Sequence, residues 1–175
     1  MTTLTPSSST STPTPKPRLW LRWVLALLLL CAALAILVAW LNVRGEAALS
    51  DSDNPPFAAT PQQVAQGAYL ARAGNCAGCH TARGGAEYAG GLGIATPFGT
   101  VYASNLTPDS QTGLGLWSAA AFWRAMHHGR AQDGRLLYPA FPYTSYTQVS
   151  REDSDALFAY LRSLVPVSQR NLQHD

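Results

Sequence analysis

Residues 74–81 read Gly-Asn-Cys-Ala-Gly-Cys-His-Thr, and within them Cys76, Cys79 and His80 form a C-x-x-C-H motif. This motif is typical of the covalent attachment of a c-type haem, in which each thiol adds to one vinyl group of the porphyrin. The two-residue spacer lets both sulfurs reach the same porphyrin edge, and the adjacent His80 is then aimed at the iron as its proximal ligand. The motif therefore predicts a haem pocket around which the rest of the domain must fold.

Two other kinds of site also use closely spaced cysteines. A thioredoxin-like C-x-x-C lies between a strand and a helix of an α/β pattern, which is absent from this sequence. A zinc site needs further ligands at zinc spacing, and the remaining histidines are His127, His128 and His174. The third cysteine, Cys31, lies inside a hydrophobic run. Haem attachment is therefore the favoured interpretation.

A helical pattern precedes the motif directly. Thr60 is the predicted N-cap of a helix that begins at Pro61, runs to about Ala73 and ends at Gly74-Asn75. Gly67, in the middle of this helix, costs about 1 kcal/mol relative to Ala. A glycine here indicates either a close crossing with another helix or an incidental residue, and the sequence leaves both open.

Two further helices are predicted after the motif. Ser118 caps a short helix that ends at His128, and Ser150 begins a last helix that Pro166 stops. The apolar face of the first holds residues at helical spacing, namely Ala119, Phe122, Trp123 and Met126. The buried stripe predicted for the last helix is Leu157, Tyr160, Leu161 and Leu164.

The segments between these helices are predicted to be loops. Residues 81–115 are rich in Gly, Pro, Asn and Thr, and residues 138–149 predict an extended loop packed on an apolar surface. The fold class is therefore all-α, with three helices and long loops. Such a domain has a thin core of its own, and a large apolar cofactor at its centre would complete that core.

The composition of the N-terminal part of the sequence predicts a disordered tail followed by a membrane anchor. Residues 1–18 are mostly Thr, Ser and Pro, whereas the run from Trp23 to Leu41 carries no charge. As a helix, this run spans ~28 Å, close to the roughly 30 Å of a hydrocarbon core. A signal peptide would have a shorter apolar core and a small-residue cleavage site. We expect one uncleaved transmembrane helix over residues 19–43.

The distribution of basic residues predicts the orientation of this anchor. Lys16, Arg18 and Arg22 precede or begin the run, whereas only Arg44 follows closely, so the N-terminus is expected in the cytoplasm and the domain outside. Residues 44–58 are then a linker, residues 59–168 the haem domain and residues 169–175 a tail. The net charge of +2 gives no indication of a nucleic-acid partner.

Four stretches of the domain resemble the membrane-bound cytochrome c subunits of periplasmic dehydrogenases. They are GAYLARAGNCAGCHT at 67–81, TPFGTVYASNLTPDSQTGLGLWS at 96–118, LYPAFPYTSYT at 137–147 and DALFAYLRSLVPV at 155–167. The enzymes served by such subunits include quinoprotein alcohol dehydrogenases and molybdenum-containing aldehyde or N-heterocycle hydroxylases. The resemblance implies a class I-like cytochrome c domain. It also implies that Asn105-Leu106-Thr107 belongs to a loop shaping the haem pocket.

The methionines of the chain are Met1 and Met126. From the residues alone, Met126 is either a distal iron ligand or a packed core residue. Many of the resembling domains read YPAMPY, and this chain has Phe141 at the position of that methionine. A subset that resembles the hydroxylase-linked subunits combines Phe there with a Met in a preceding Arg-Ala-Met. The pairing of Met126 with Phe141 therefore implies Met126 as the distal ligand.

These observations predict a membrane-anchored carrier with one covalent haem c, in the bacterial inner membrane, with no catalytic residues. Its expected electron donor is a periplasmic dehydrogenase, and its acceptor an oxidase or a soluble cytochrome. The missing methionine at position 141 also motivates a haem enzyme or gas sensor with an open sixth coordination site. His127 or His128 would then supply the distal acid–base group. A third hypothesis is a docking subunit whose haem is incidental.

Overall fold

A computed structural model of the chain describes residues 19–43, 49 and 57–175. The chain divides into an N-terminal unit, Met1–Gly45, and a second unit, Glu46–Asp175. The predicted tail at 1–18 lies outside the described residues, as does the predicted linker except for residues 49, 57 and 58.

In the N-terminal unit, the described residues form helix α1, over Leu19–Val43. Its residues Leu19–Leu41 have a mean hydropathy of 3.0, and none of that stretch is buried against the protein. From Trp23 to Leu41, apolar residues occupy every side of the helix rather than the single stripe of a helix that packs on a core. This helix is long and apolar enough to span a membrane.

The regular elements of the second unit are mainly helices, as predicted. Its elements in chain order are α2 (Pro61–Ala73), α3 (Cys76–His80), β1 (Gly93–Thr96), β2 (Gly99–Tyr102), α4 (Ala119–His128), α5 (Tyr143–Tyr146) and α6 (Arg151–Ser163). The predicted ends of α2 and α4 are confirmed. Thr60 forms a capping box with Gln63, since the Thr60 hydroxyl accepts from the Gln63 N–H at 3.2 Å and the Gln63 side chain accepts from the Thr60 N–H at 3.0 Å.

Helices α2 and α6 cross in close contact at Gly67. A Cβ on Gly67 would overlap the Ala156 carbonyl oxygen and lie 2.8 Å from Tyr160 Cβ. Beside this crossing, the Gln66 side chain donates to Asp153 Oδ1 at 2.7 Å. The glycine is therefore needed for the approach of α6, which decides between the two interpretations that the sequence left open.

The core lies where α2, α4 and α6 meet. Phe122 of α4 packs on Phe158 of α6 with ring centroids 5.4 Å apart, and Tyr88 meets Tyr160 edge to face at 5.8 Å. The buried cluster consists of Ala71, Tyr88, Leu114, Phe122, Met126, Leu157, Phe158 and Leu161. Of the stripe predicted for the last helix, Leu157 and Leu161 are buried, whereas Leu164 lies beyond the end of α6.

The structure differs from the sequence prediction in two of the loops. Residues 93–102 form an antiparallel hairpin in which Ile94 pairs with Val101 and Thr96 with Gly99. Residues 143–146 form the single turn α5 within the stretch predicted to be extended. The two strands and the turn are each only four residues long and lie among glycines or prolines, so none of them produces a periodic pattern in the sequence.

The segment 169–175, predicted as a tail beyond the domain, packs against the domain. The Asp175 N–H donates to the Thr100 carbonyl at 3.0 Å, and the Tyr102 N–H donates to His174 Nδ1 at 3.2 Å. The segment therefore runs beside β2. The sequence did not indicate this because the contacts use backbone groups and polar side chains rather than an apolar stripe.

We predict that Gly67→Ala destabilises the domain although Ala favours helices. The added methyl group must push α6 away, and overpacking of this kind costs about 1–3 kcal/mol, more than the roughly 1 kcal/mol gained in helix propensity. Denaturant unfolding of the variant and the parent protein measures the difference. Ala65→Gly, at an exposed position of α2, is the control and should lose only about 1 kcal/mol. A Gly67→Ala protein as stable as the parent would contradict the role of this crossing.

Candidate haem site

The cysteine motif forms a compact turn immediately after α2. Asn75 adopts a left-handed conformation with φ 51°, which redirects the chain so that α3 begins at Cys76. The Asn75 side chain then covers Gly78, where a Cβ would lie 2.5 Å from Asn75 Nδ2. Cys76 and Cys79 are three residues apart on this helical turn and therefore lie on the same side of it. The structure thus places both thiols where one group can bind them together.

The two thiols have different surroundings. Cys76 is half-buried and packs against the core cluster, and burial raises the pKa of its thiol. Cys79 is exposed, and both cysteines are free. A ligand bonded to both sulfurs would therefore be attached at the boundary between the apolar core and the solvent.

His80 is held by a backbone hydrogen bond. Its Nδ1 lies 2.7 Å from the Ser104 carbonyl oxygen. Because a carbonyl can only accept, Nδ1 carries the proton and Nε2 keeps its lone pair. Burial lowers the pKa of His80, and the bond to Ser104 opposes part of that effect. A neutral imidazole with one nitrogen fixed and the other able to donate a lone pair is the usual state of a histidine metal ligand.

Aromatic side chains from the 138–149 loop lie near the cysteine turn. Phe141 stacks on Tyr146 with ring centroids 5.3 Å apart, and both pack against the core cluster. Burial raises the pKa of Tyr146, with smaller contributions from the thiols of Cys76 and Cys79. The expectation that this loop packs on an apolar surface is therefore correct.

Met126 lies in the core, and its histidine neighbours do not. Its side chain is 5% exposed, and the Ser154 hydroxyl lies 3.9 Å from its sulfur, within reach of a weak O–H···S hydrogen bond. His127 is half-buried and stacks on Trp123 at 3.4 Å, whereas His128 is exposed. Of these three neighbours on α4, Met126 is the one that belongs to the same apolar cluster against which Cys76 packs.

The donor set fits a haem iron better than a bare metal ion. Within the described ranges, no three His, Cys, Asp or Glu side chains lie close enough to hold an ion by themselves. One imidazole and one buried thioether would be enough for an iron that a porphyrin already holds, because the protein then has few ligands to supply. Two thiols on one turn fit its covalent attachment.

Ser104 and Ser154, both near the site, were not singled out from the sequence. Ser104 acts through its backbone carbonyl, so the identity of its side chain carries no signal. Ser154 is a buried hydroxyl on α6, and in the sequence it looks like an ordinary residue of the first helical turn. Asn105, 2% exposed, was expected to shape the pocket, and the structure shows it bonding to loop and C-terminal residues.

The helices packed around a C-x-x-C-H turn, with a histidine held through Nδ1, define a c-type cytochrome domain. The family model for cytochrome c matches residues 64–165, and the chain belongs to that family. A cytochrome c domain carries covalently bound haem c.

Named relatives match the same region of the chain. One of the nicotinate dehydrogenase subunits of Pseudomonas putida is 49% identical over 140 residues, covering 79% of this chain and 12% of that protein. The gluconate 2-dehydrogenase cytochrome c subunit of Pantoea cypripedii is 46% identical over 142 residues, covering 81% and 31%. A dihaem c-type cytochrome of Cereibacter sphaeroides is 36% identical over 129 residues, covering 71% and 44%. The match therefore spans less than half the length of each of these relatives, and the predicted resemblance to dehydrogenase subunits is confirmed.

We predict that replacing both Cys76 and Cys79 with Ala abolishes covalent haem. In the parent protein the red colour should stay with the polypeptide through denaturation and acid–acetone extraction, because thioether bonds survive that treatment. Each single variant should keep at most one thioether, which changes the pyridine haemochrome spectrum. Cys31→Ala is the control and should leave attachment unchanged. Thioether-bound haem in the double variant would show that the motif is not the attachment site.

Proposed function

We propose that this chain is a membrane-anchored, monohaem c-type cytochrome that transfers electrons from a dehydrogenase outside the membrane toward the respiratory chain. The observation that carries the proposal is the cysteine turn with His80 held by the Ser104 carbonyl at 2.7 Å. This arrangement provides two attachment points and one preset ligand, and no side chain near it is needed to make or break substrate bonds.

In this proposal Cys76 and Cys79 form the two thioethers, and His80 provides the proximal ligand through Nε2. Haem c supplies the one-electron couple, and the protein sets its potential. The Ser104 carbonyl keeps the imidazole in one tautomer and one orientation in both oxidation states. The buried cluster around Cys76 excludes water from one side of the site, which lowers the local dielectric.

Met126 is proposed as the distal ligand. Its sulfur is buried and uncharged, and the Ser154 hydroxyl beside it is a weak donor, so a lone pair remains for the iron. His127 is engaged with Trp123, and its Nδ1 lies 3.3 Å from the Trp123 carbonyl oxygen. Two protein ligands, His80 and Met126, would leave no open position on a bound haem iron, which would favour electron transfer over ligand binding. Methionine ligation also raises the potential.

The donor is proposed from the relatives. The nicotinate and gluconate relatives are named as parts of dehydrogenases, which supports a dehydrogenase as the electron donor of this chain. An oxidase or a soluble cytochrome would accept the electron. One C-x-x-C-H motif in the sequence supports one haem, although a relative is dihaem.

The location is proposed from α1 and its flanking charges. Helix α1 would cross the bacterial inner membrane once, with Lys16, Arg18 and Arg22 toward the cytoplasm. The haem domain would then lie in the periplasm, where haem attachment and the periplasmic dehydrogenases are found.

The ligation test is Met126→Ala. The parent protein should show the weak far-red band of Met–iron ligation when oxidised, a reversible one-electron couple in voltammetry, and slow or absent carbon monoxide binding when reduced. Met126→Ala should lose the band, lower the potential and bind carbon monoxide rapidly, because the sixth position is then open. Phe122→Leu, a buried change on the same helix, is the control and should keep the band.

Two results would overturn this assignment. Rapid carbon monoxide binding by the parent protein would favour the sensor or enzyme hypothesis with an open site. An unchanged spectrum in Met126→Ala, together with an altered one in His127→Ala or His128→Ala, would show bis-histidine ligation.

The proposed membrane anchor is tested by comparing the full chain with a chain that lacks α1. We expect the full chain to stay in membranes after a high-salt wash and to keep its N-terminal residues, since α1 is apolar on all sides from Trp23 to Leu41. A shortened chain that begins at Glu46, behind a secretion signal, should be a soluble red protein. A mature N-terminus near Ser50 would instead show that the apolar segment is removed.

A further inference from the structure

The peptide group between Ser104 and Asn105 connects His80 to the C-terminal segment. A peptide is planar, and in its trans form the C=O and N–H point in opposite directions. On one side the Ser104 carbonyl accepts from His80 Nδ1 at 2.7 Å. On the other side the Asn105 N–H donates to Asn171 Oδ1 at 2.8 Å. One rigid unit therefore lies between the side chains of His80 and Asn171.

This peptide lies outside regular secondary structure, so its orientation depends on tertiary contacts. Strand β2 ends at Tyr102, and residues 103–106 belong to neither a strand nor a helix. Gly90 covers one face of the peptide, where a Cβ would lie 2.6 Å from the Ser104 carbonyl carbon and 2.7 Å from the Asn105 nitrogen. The two hydrogen bonds described above hold its two ends.

The Asn171 amide is itself oriented by the loop. Its Nδ2 donates to the Thr112 carbonyl at 3.1 Å, which leaves Oδ1 as the atom that accepts from the Asn105 N–H. The backbone near it is also fixed, because the Gln169 N–H donates to Thr112 Oγ1 at 3.2 Å. Asn171 therefore presents an acceptor in a defined direction.

The side chain of Asn105 ties the same segment at a second point. Its Nδ2 donates to the Val167 carbonyl at 2.8 Å, and its Oδ1 accepts from the Thr107 N–H at 2.9 Å. The Val167 N–H in turn donates to Thr107 Oγ1 at 3.1 Å. Hydrogen bonds therefore hold the C-terminal segment against the residues that follow Ser104.

We infer that Asn171 is a positioning residue for the proximal ligand and tunes the reduction potential through the Ser104–Asn105 peptide. An acceptor on the N–H side polarises the peptide and makes the Ser104 oxygen a stronger acceptor, because hydrogen bonds in a chain reinforce each other. A stronger bond to Nδ1–H increases the electron density that the imidazole donates, which stabilises the ferric state. This inference rests on the proposed role of His80 as iron ligand.

The experiment measures the midpoint potential of the full-length holoprotein and of three variants. Asn171→Leu has a similar volume and no acceptor, so the potential should rise. Weakening the bond to Nδ1–H should raise the reduced-to-oxidised ratio about threefold at a fixed electrode potential, or ~28 mV at 59 mV per tenfold. Asn171→Asp keeps the acceptor oxygen and adds negative charge, so its potential should equal or fall below that of the parent. Gln173→Ala, an exposed change on the same segment, should match the parent.

A second readout follows the hydrogen bond itself. The Nδ1–H proton of His80 should exchange with solvent faster in Asn171→Leu than in the parent or in Gln173→Ala. If Asn171→Leu does not fold, the test rests on Asn171→Asp. A midpoint potential of Asn171→Asp above that of the parent contradicts the inference. An unchanged potential in a folded Asn171→Leu overturns it while leaving the proposed function intact. A parent chain without covalent haem overturns the proposed function and this inference together.

Discussion

The close crossing of α2 and α6 at Gly67 is the constraint on which the domain depends. The helices can approach this far only because position 67 has no side chain, and a Cβ there would overlap the Ala156 carbonyl oxygen. The crossing packs the two ends of the domain together and buries Ala71 and Phe158. Since the cysteine turn follows α2 directly, the same crossing also determines where the thiols of Cys76 and Cys79 lie relative to the core. Helix α2 therefore contributes both to the packing of the domain and to the position of the cofactor attachment site.

The two axial sides of the proposed site are supported in different ways. On the proximal side, His80 is oriented by a backbone carbonyl in a loop that the C-terminal segment fastens through polar groups. On the distal side, Met126 lies among apolar side chains of α4 and α6, with the Ser154 hydroxyl as a weak polar neighbour at 3.9 Å. A directional hydrogen-bond network suits a ligand that needs one tautomer, whereas apolar packing suits a neutral thioether. The buried polar residues Asn105 and Thr107 belong to the hydrogen-bond network after Ser104, whereas the buried Ser154 lies on α6 beside Met126.

A tethered carrier has a simple physical advantage in the proposed function. An anchor such as α1 confines the domain near the membrane and raises its effective concentration at a membrane-associated partner without adding any contact. Transfer then depends less on strong charge attraction, which agrees with a chain whose net charge is only +2. The relatives match over a haem domain that forms only part of each longer protein, so the same module also occurs within larger chains.

The sequence by itself determined the helix ends of α2 and α4, the apolar span of α1, and the attachment motif at Cys76, Cys79 and His80. These features depend on interactions between near neighbours, such as the Thr60 cap, helical periodicity and the spacing of two thiols. Only the tertiary structure showed why position 67 is glycine, where the hairpin at 93–102 forms, which group accepts from His80 and how residues 169–175 pack. The hairpin is local, but its four-residue strands are too short to give a pattern in the sequence. The other three depend on contacts between residues far apart in the chain, and several use backbone groups that every residue type carries. Residue identity therefore reveals the reactive groups, whereas the orientation of those groups follows from how distant segments meet.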